Sequence, residues 1–290
     1  MSQTLRALMA GAGAAAGWPR RIWRRVRFTP AATPERPYLQ VRKRGAEPGR
    51  RDVSGIEIEP RVNGIDWLGV SKDLDAQGWA ILPNLFDHAQ ADSAAGLYAS
   101  QEGFRTRVVM ACHGYGRGEY RYFSYPLPPI VQCLRTSAYP RLAPIANRWQ
   151  ERLGSAVRFP DDLAAFLERC HQAGQSRPTP LLLEYGPGDY NCLHRDLYGE
   201  HVFPLQIAIL LDRPGEDFTG GEFVMTEQRP RMQSRPMVLP LRKGDAAVFA
   251  VAGRPVRGVR GDYQVKLSHG VSKLHTGKRH TLGVIFHDAA

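Results

Sequence analysis

His194 and Asp196 stand one residue apart in "NCLHRD" (191–196), just after the turn formers of "YGPGDY". An imidazole and a carboxylate at that spacing can grip a divalent metal from one side. The pair alone says little, because nine His and fifteen Asp in 290 residues give about half such a pair by chance. A second imidazole raises its value. His269 ends "YQVKLSH", 73 residues after Asp196. Two imidazoles and one carboxylate on one face of a metal leave three positions open. That suits a non-haem Fe(II) that must also take a cosubstrate and O₂. Arg279 follows ten residues later, in "HTGKRHTL". A buried guanidinium beside a metal pocket is costly without an anionic partner. A dicarboxylate ligand would supply one, through a bidentate pair. Thr281 shares a strand face with Arg279 by period-two alternation and is a candidate pocket residue.

Other residues compete for these roles. His275, in a turn, and His280 and His287, in or near the last strand, have no basic partner at the right offset and read as core or surface polar residues. Tyr185 is either core or a pocket hydroxyl, with Tyr190 as its substitute. Cys192, two residues from His194, reads as a structural thiol. Gly220 and Gly221 read as a bulge or close-packing pair, and Asp217 as a turn residue.

These side chains need a scaffold. After Pro180 short apolar runs alternate with turn signals: "LLLEY", "FPLQIAILL", "GGEFVMT", "DAAVFAV", "YQVKLS", "RHTLGVIF". Strands of this length and spacing indicate an all-β sandwich or jelly roll, whose Greek-key path can bring distant strand ends together. The chain before Pro180 reads differently. Asp66 caps a helix to about Gln77, "GWAILPNLF" is a strand and turn, and Asp87 caps a helix through Tyr98. Apolar spacing of three and four predicts helices over Pro140–Leu153 and Asp161–His171. "CHGYGRGEYRYFSYPLPP" (112–129) reads as a Gly- and Tyr-rich loop. Its stretch from His113 to Tyr125 is a lid or substrate platform on one reading and a packed Ω-loop on the other.

Five stretches in this order carry a family resemblance. "EYGPGDYNCLHRD", "AILLDRPGEDFTGGEF", "LPLRKGDAAVF", "SHGVSKL" and "TGKRHTL" together resemble the Fe(II)/2-oxoglutarate-dependent dioxygenase superfamily, closest to its prolyl-hydroxylase-like branch. The resemblance covers about Pro180 to Asp288. It implies an α+β chain with a mainly β core, a double-stranded β-helix (jelly roll, cupin-like) with flanking N-terminal helices. His194, Asp196 and His269 would hold Fe(II). Arg279 would pair with the C5 carboxylate of 2-oxoglutarate, helped by Tyr185, with Thr281 at the same site. O₂ would be the second cosubstrate and ascorbate a candidate reductant. Lys273 stands where the family often has Pro. The substrate it implies is a protein side chain such as proline, or a small molecule. The alternative is oxidative demethylation of an alkylated nucleic-acid base. A third reading is a barrel that binds metal or ligand without turnover.

Charge bears on that choice. Residues 1–60 hold twelve Lys/Arg against five acids, so +7 of the net +11 sits there and +4 on the other 230 residues. The high pI is therefore weak grounds for a nucleic-acid partner of the folded part. Arg229, Arg231, Arg235, Arg254, Arg257 and Arg260, between the core strands, could track phosphates or form a solvated rim. Residues 1–60 show no sustained periodicity and read as a basic, flexible tail. A helical part, 61–177, is expected to pack on a dioxygenase core, 178–290. The four Cys lack CxxC spacing and read as reduced, mostly buried thiols of a cytoplasmic protein. A cleaved targeting tail is the alternative. No apolar run reaches the ~20 residues of a membrane helix.

Overall fold

The computed structural model describes residues 58–290, so nearly all of the basic segment 1–60 lies outside the described residues. The described chain opens with helix α1 (Ile58–Asn63), which begins in the last three residues of that segment and runs past its end. Ile58 and Val62 are buried, so packed structure is already present at Ile58. Asp66 caps α2 (Trp67–Gln77) by accepting from the Gly69 amide. Strand β1 (Trp79–Leu82) follows. Asp87 and Gln90 then close a reciprocal capping box on α3 (His88–Gly96), and a 3₁₀ turn, Leu97–Ala99, continues it.

Two stretches differ from their sequence reading. The helix expected from Pro140 begins at Pro129: α4 runs Pro129–Arg152 with Pro140 and Pro144 inside it. A proline usually marks a helix start because it lacks an N–H. Here Leu134, Ala138, Tyr139 and Leu142 carry one buried stripe across Pro140, and that burial outweighs the missing bonds. The aromatic "loop" also contains two strands. After β2 (Phe104–Val109), its residues form β3 (Gly116–Arg117) and β4 (Glu119–Phe123). The alternation in "EYRYF" is the period-two signal of a half-buried strand. Helix α5 (Leu163–Gln172) closes the helical part.

The remaining strands are β5 (Leu181–Tyr185), β6 (Tyr190–His194), β7 (Leu205–Leu210), β8 (Phe218–Gly220), β9 (Phe223–Gln228), β10 (Arg235–Leu239), β11 (Ala246–Ala250), β12 (Gly253–Gly258), β13 (Gly261–Val271), β14 (Leu274–Gly277) and β15 (Arg279–Val284). One antiparallel sheet has the order β1-β11-β7-β15-β5-β4-β2. A second has the order β10-β9-β13-β6-β3, with β12 paired to β13. Strands β14 and β8 form a short ladder between neighbouring turns, so His275 lies in a strand and not a turn. The sequence-adjacent strands β5 and β6 fall in different sheets, and β7 returns to the first. That is the Greek-key crossing of a jelly roll. The chain thus has a mainly β core with helices, an α+β arrangement.

A buried polar network ties the C-terminal end to the helices. The Arg135 guanidinium donates to the Ile285 and Phe286 carbonyls and pairs with Asp288 at 2.8 Å, both side chains fully buried. Tyr125 and His171 also reach Asp288, at 2.9 Å each.

Candidate metal and dicarboxylate site

The two sheets bring the predicted residues together. His194 ends β6, and its Cα partner across the ladder is His269 of β13. Their ring centroids are 4.2 Å apart. Asp196 lies just past β6, with Oδ1 3.5 Å from His194 Nε2 and Oδ2 3.3 Å from His269 Nε2. One ligand atom from each of the three lies within 4.8 Å of the others. Among the described residues this is the one such His/Cys/Asp/Glu group.

Their surroundings favour ligation. His194 Nδ1 lies 2.8 Å from the Cys192 carbonyl. Donation there fixes the tautomer and turns the Nε2 lone pair toward Asp196. Burial, then the neighbouring His269, pushes the His194 pKa down, although Asp196 opposes it. The imidazole is held neutral, the form a metal needs. Burial acts to raise the Asp196 pKa, but His269, His194 and the Gln206 amide outweigh it and hold the carboxyl well below its usual range. A buried carboxylate with two imidazoles and no fixed cation beside it fits a divalent metal.

The other predicted pocket residues start from β5 and β15. Arg279 and Tyr185 are Cα partners, and Thr281 sits opposite Leu183. Arg279 Nη1 donates to Thr281 Oγ1 at 2.5 Å, while its Nε has no partner. No carboxylate among the described residues pairs with this fully buried guanidinium. A dicarboxylate meets that need, since a buried cation without a counter-ion is unstable. Tyr185 meets Arg279 through its ring, 5.6 Å from the guanidinium carbon. Its hydroxyl accepts from Asn191 at 3.4 Å instead. Burial pushes the Tyr185 pKa up to about 12, so the phenol stays neutral. Gly221, at φ 66°, packs against the same cation: a Cβ there would lie 2.6 Å from Leu274 Cδ1 and 3.1 Å from Arg279 Cδ. Only glycine lets β15 and the turn approach this closely.

The triad opens into a cavity of about 350 Å³ lined by Tyr115, Tyr120, Tyr122, Tyr198, Phe223 and Phe249, and also by Tyr185, Gln206 and Thr281. Arg279 lines an adjoining cavity of about 310 Å³, and its bond to Thr281 links it to the first. Tyr115, Tyr120 and Tyr122 fall in the stretch read as a lid or substrate platform, and all three line this cavity. Sequence reasoning passed over Asn191, Tyr198 and Gln206; the lone amide in "LQIAIL" was the available signal.

Several candidates lie elsewhere. His280 bonds Asp212 and Glu184, at 3.0 and 3.1 Å. His287 is buried and accepts from the Phe203 amide, and His275 is exposed. Tyr190 is partly exposed and does not line the triad cavity. Asp217 closes the turn from Arg213. One basic-loop residue departs from both readings: Arg254 is buried and paired with Glu227 at 2.6 Å. Arg229 and Arg235, more exposed, lie 2.8 and 3.5 Å from the same carboxylate, so one negative charge serves three cations. The thiols also differ from expectation, since Cys112 and Cys192 are exposed. No helix among the described residues is long and apolar enough to cross a membrane.

Residues 118–289 match the model of the Oxygenase-NA family, described as oxygenases catalysing oxidative methylation of damaged DNA. Uncharacterized proteins from two Mycobacterium tuberculosis strains, CDC 1551 / Oshkosh and H37Rv, are each 45% identical over 197 residues, covering 66% of this chain and 84% of theirs. Among solved structures, a 2OG-Fe(II) oxygenase family oxidoreductase from Burkholderia pseudomallei aligns with 78% of this chain and 93% of its own, at 15% identity and TM-score 0.47. A Pseudomonas putida prolyl-4-hydroxylase aligns with 75% of this chain and 96% of its own, at 12% identity and TM-score 0.43. The family match runs from β4 through β15 and includes every residue of the triad, and the chain belongs to the Oxygenase-NA family.

Proposed function

We propose that this dioxygenase oxidises an alkylated nucleobase. His194, Asp196 and His269 hold the Fe(II), and Arg279, with Thr281 beside it, takes the far carboxylate of 2-oxoglutarate. Tyr185 supports Arg279 through its ring. The bound metal with 2-oxoglutarate and O₂ supplies oxidation of an unactivated C–H bond, with release of succinate and CO₂.

The aromatic lining of the triad cavity carries the substrate reading. Tyr115, Tyr120, Tyr122, Tyr198, Phe223 and Phe249 offer flat faces to a flat ring. Enzymes that act on a base seat it between aromatic and apolar side chains. The family's description, with its damaged-DNA substrate, supports the same reading. Hydroxylating an N-methyl carbon gives an N-hydroxymethyl group that falls apart to the free N–H and formaldehyde. The chain's own part is to seat the ring, bring its methyl group to the metal face of the triad, and exclude water with the phenol-rich wall. The protein-side-chain reading, foremost from the sequence, has no comparable feature in the cavity behind it. Ascorbate as reductant and a cytoplasmic location, which the absence of disulfides fits, belong to the same proposal.

The test is product analysis with Fe(II), 2-oxoglutarate and O₂. Single-stranded oligonucleotides with N-methylated bases should yield succinate and formaldehyde in equal amounts. Succinate formed with proline-containing peptides and not with oligonucleotides would replace this reading with the hydroxylase one.

A further inference from the structure

Strand β7, "LQIAIL", is buried at every position, and five of its six residues are apolar. The sixth is Gln206, 4% exposed. An amide in such a strand is costly unless its polar atoms have partners. Its Nε2 donates to Asp196 Oδ2 at 2.8 Å and lies 3.3 Å from His269 Nε2. Its Oε1 is buried with no partner. The amide is therefore oriented from one end only, by two of the three candidate ligands. The reverse orientation would set Oε1 against the Asp196 carboxylate, so the network assigns it. The other carboxylate oxygen is held too, because the Tyr198 hydroxyl donates to Asp196 Oδ1 at 2.7 Å. Each oxygen has one fixed donor and keeps lone-pair capacity for a cation. Asp196 lies two residues past the end of β6, outside the strand ladder, so these side-chain contacts hold its carboxylate where no strand pairing does.

We propose that Gln206 is a positioning residue that sets the Asp196 carboxylate, with Tyr198 as its counterpart on the other oxygen, so that the triad binds its metal in one geometry. This rests on the reading of His194, Asp196 and His269 as the metal site. It explains why a polar side chain interrupts an otherwise apolar strand at the one place where it reaches two ligands. Outer partners of this type typically change metal affinity by roughly 10- to 100-fold when removed.

The test uses the full-length protein, with Mn(II) binding by calorimetry and the visible spectrum of bound Co(II) as readouts. Gln206→Met removes the donor at similar volume, and Gln206→Asn keeps an amide too short to reach. Both should bind Mn(II) roughly 10- to 100-fold more weakly and alter the Co(II) spectrum. Tyr198→Phe should do the same in smaller measure. A packing role alone would lower the melting temperature and leave the Co(II) spectrum as in the parent. Either Gln206 variant, folded and with parental Mn(II) affinity and Co(II) spectrum, overturns the proposal while leaving the metal reading in place. A parent that binds neither ion overturns both.

Discussion

Arg279 and Thr281, two residues apart on one strand, share a 2.5 Å hydrogen bond inside the barrel, and no carboxylate among the described residues forms an ion pair with the guanidinium, Asp212 and Glu222 acting on it only from a distance. The hydroxyl fixes one end of the fork and leaves the rest of it for an anion. Truncating one partner of a buried, hydrogen-bonded charge pair costs about 2–5 kcal/mol, a roughly 30- to 3,000-fold loss of affinity. Arg279→Ala should lose that much 2-oxoglutarate affinity, measured by calorimetry on the Mn(II)-loaded protein, with Mn(II) affinity little changed. Arg279→Lys should recover part of it, since an ammonium is a point charge and not a fork. Unchanged 2-oxoglutarate affinity in the Ala variant would remove Arg279 as the anchor.

His280, next to Arg279, makes the strand's start sensitive to pH. Burial acts to lower its pKa, but Asp212 and then Glu184 outweigh that and raise it above the ordinary value. Lys278 and the Tyr98 ring also lie near this cluster. A folded pKa above the unfolded one means that the protonated pair stabilises the fold fully below about pH 6.5. The contribution is lost as pH rises through the folded pKa. Urea unfolding of the parent should therefore show stability falling across that window, and His280→Gln should flatten the fall. Equal pH profiles for the two proteins would show that His280 carries no such linkage.

Arg135 and Asp288 are both fully buried, which makes removal of one partner severe. Arg135→Met leaves Asp288 with Tyr125 and His171 but no permanent cation. The expected loss is about 3–5 kcal/mol, read by chemical denaturation. A loss under about 1 kcal/mol would place the pair among those that contribute little.

The sequence carried the triad because ligand type and order survive without any knowledge of packing. His269 was set apart from His275, His280 and His287 by its strand-end place in "YQVKLSH" and by the family resemblance of "SHGVSKL", and the structure pairs it with His194 across the ladder. Arg279 was legible through its offset and the Gly277 turn. Other features depend on contacts that no local pattern states. Pro140 reads as a helix start, yet the buried stripe through Leu134, Ala138 and Leu142 runs across it. Arg254 reads as a surface charge until Glu227 appears beside it from another strand. Tyr120 and Tyr122 lay in the stretch read as a lid or platform, but their strand was missed, because the glycines before them signalled loop more strongly than "EYRYF" signalled strand. Gln206 needed the knowledge that Asp196 lies within hydrogen-bonding reach, although its place in an apolar run was itself a sign.

The central claim is that His194, Asp196 and His269 form an Fe(II) site that takes 2-oxoglutarate. Anaerobic titration with Fe(II) and 2-oxoglutarate, followed by the weak visible charge-transfer band of the chelate, tests it most directly. The parent should develop the band to one equivalent of metal. His269→Ala, shown by circular dichroism to be folded, should develop none. A full band in folded His269→Ala would contradict the account.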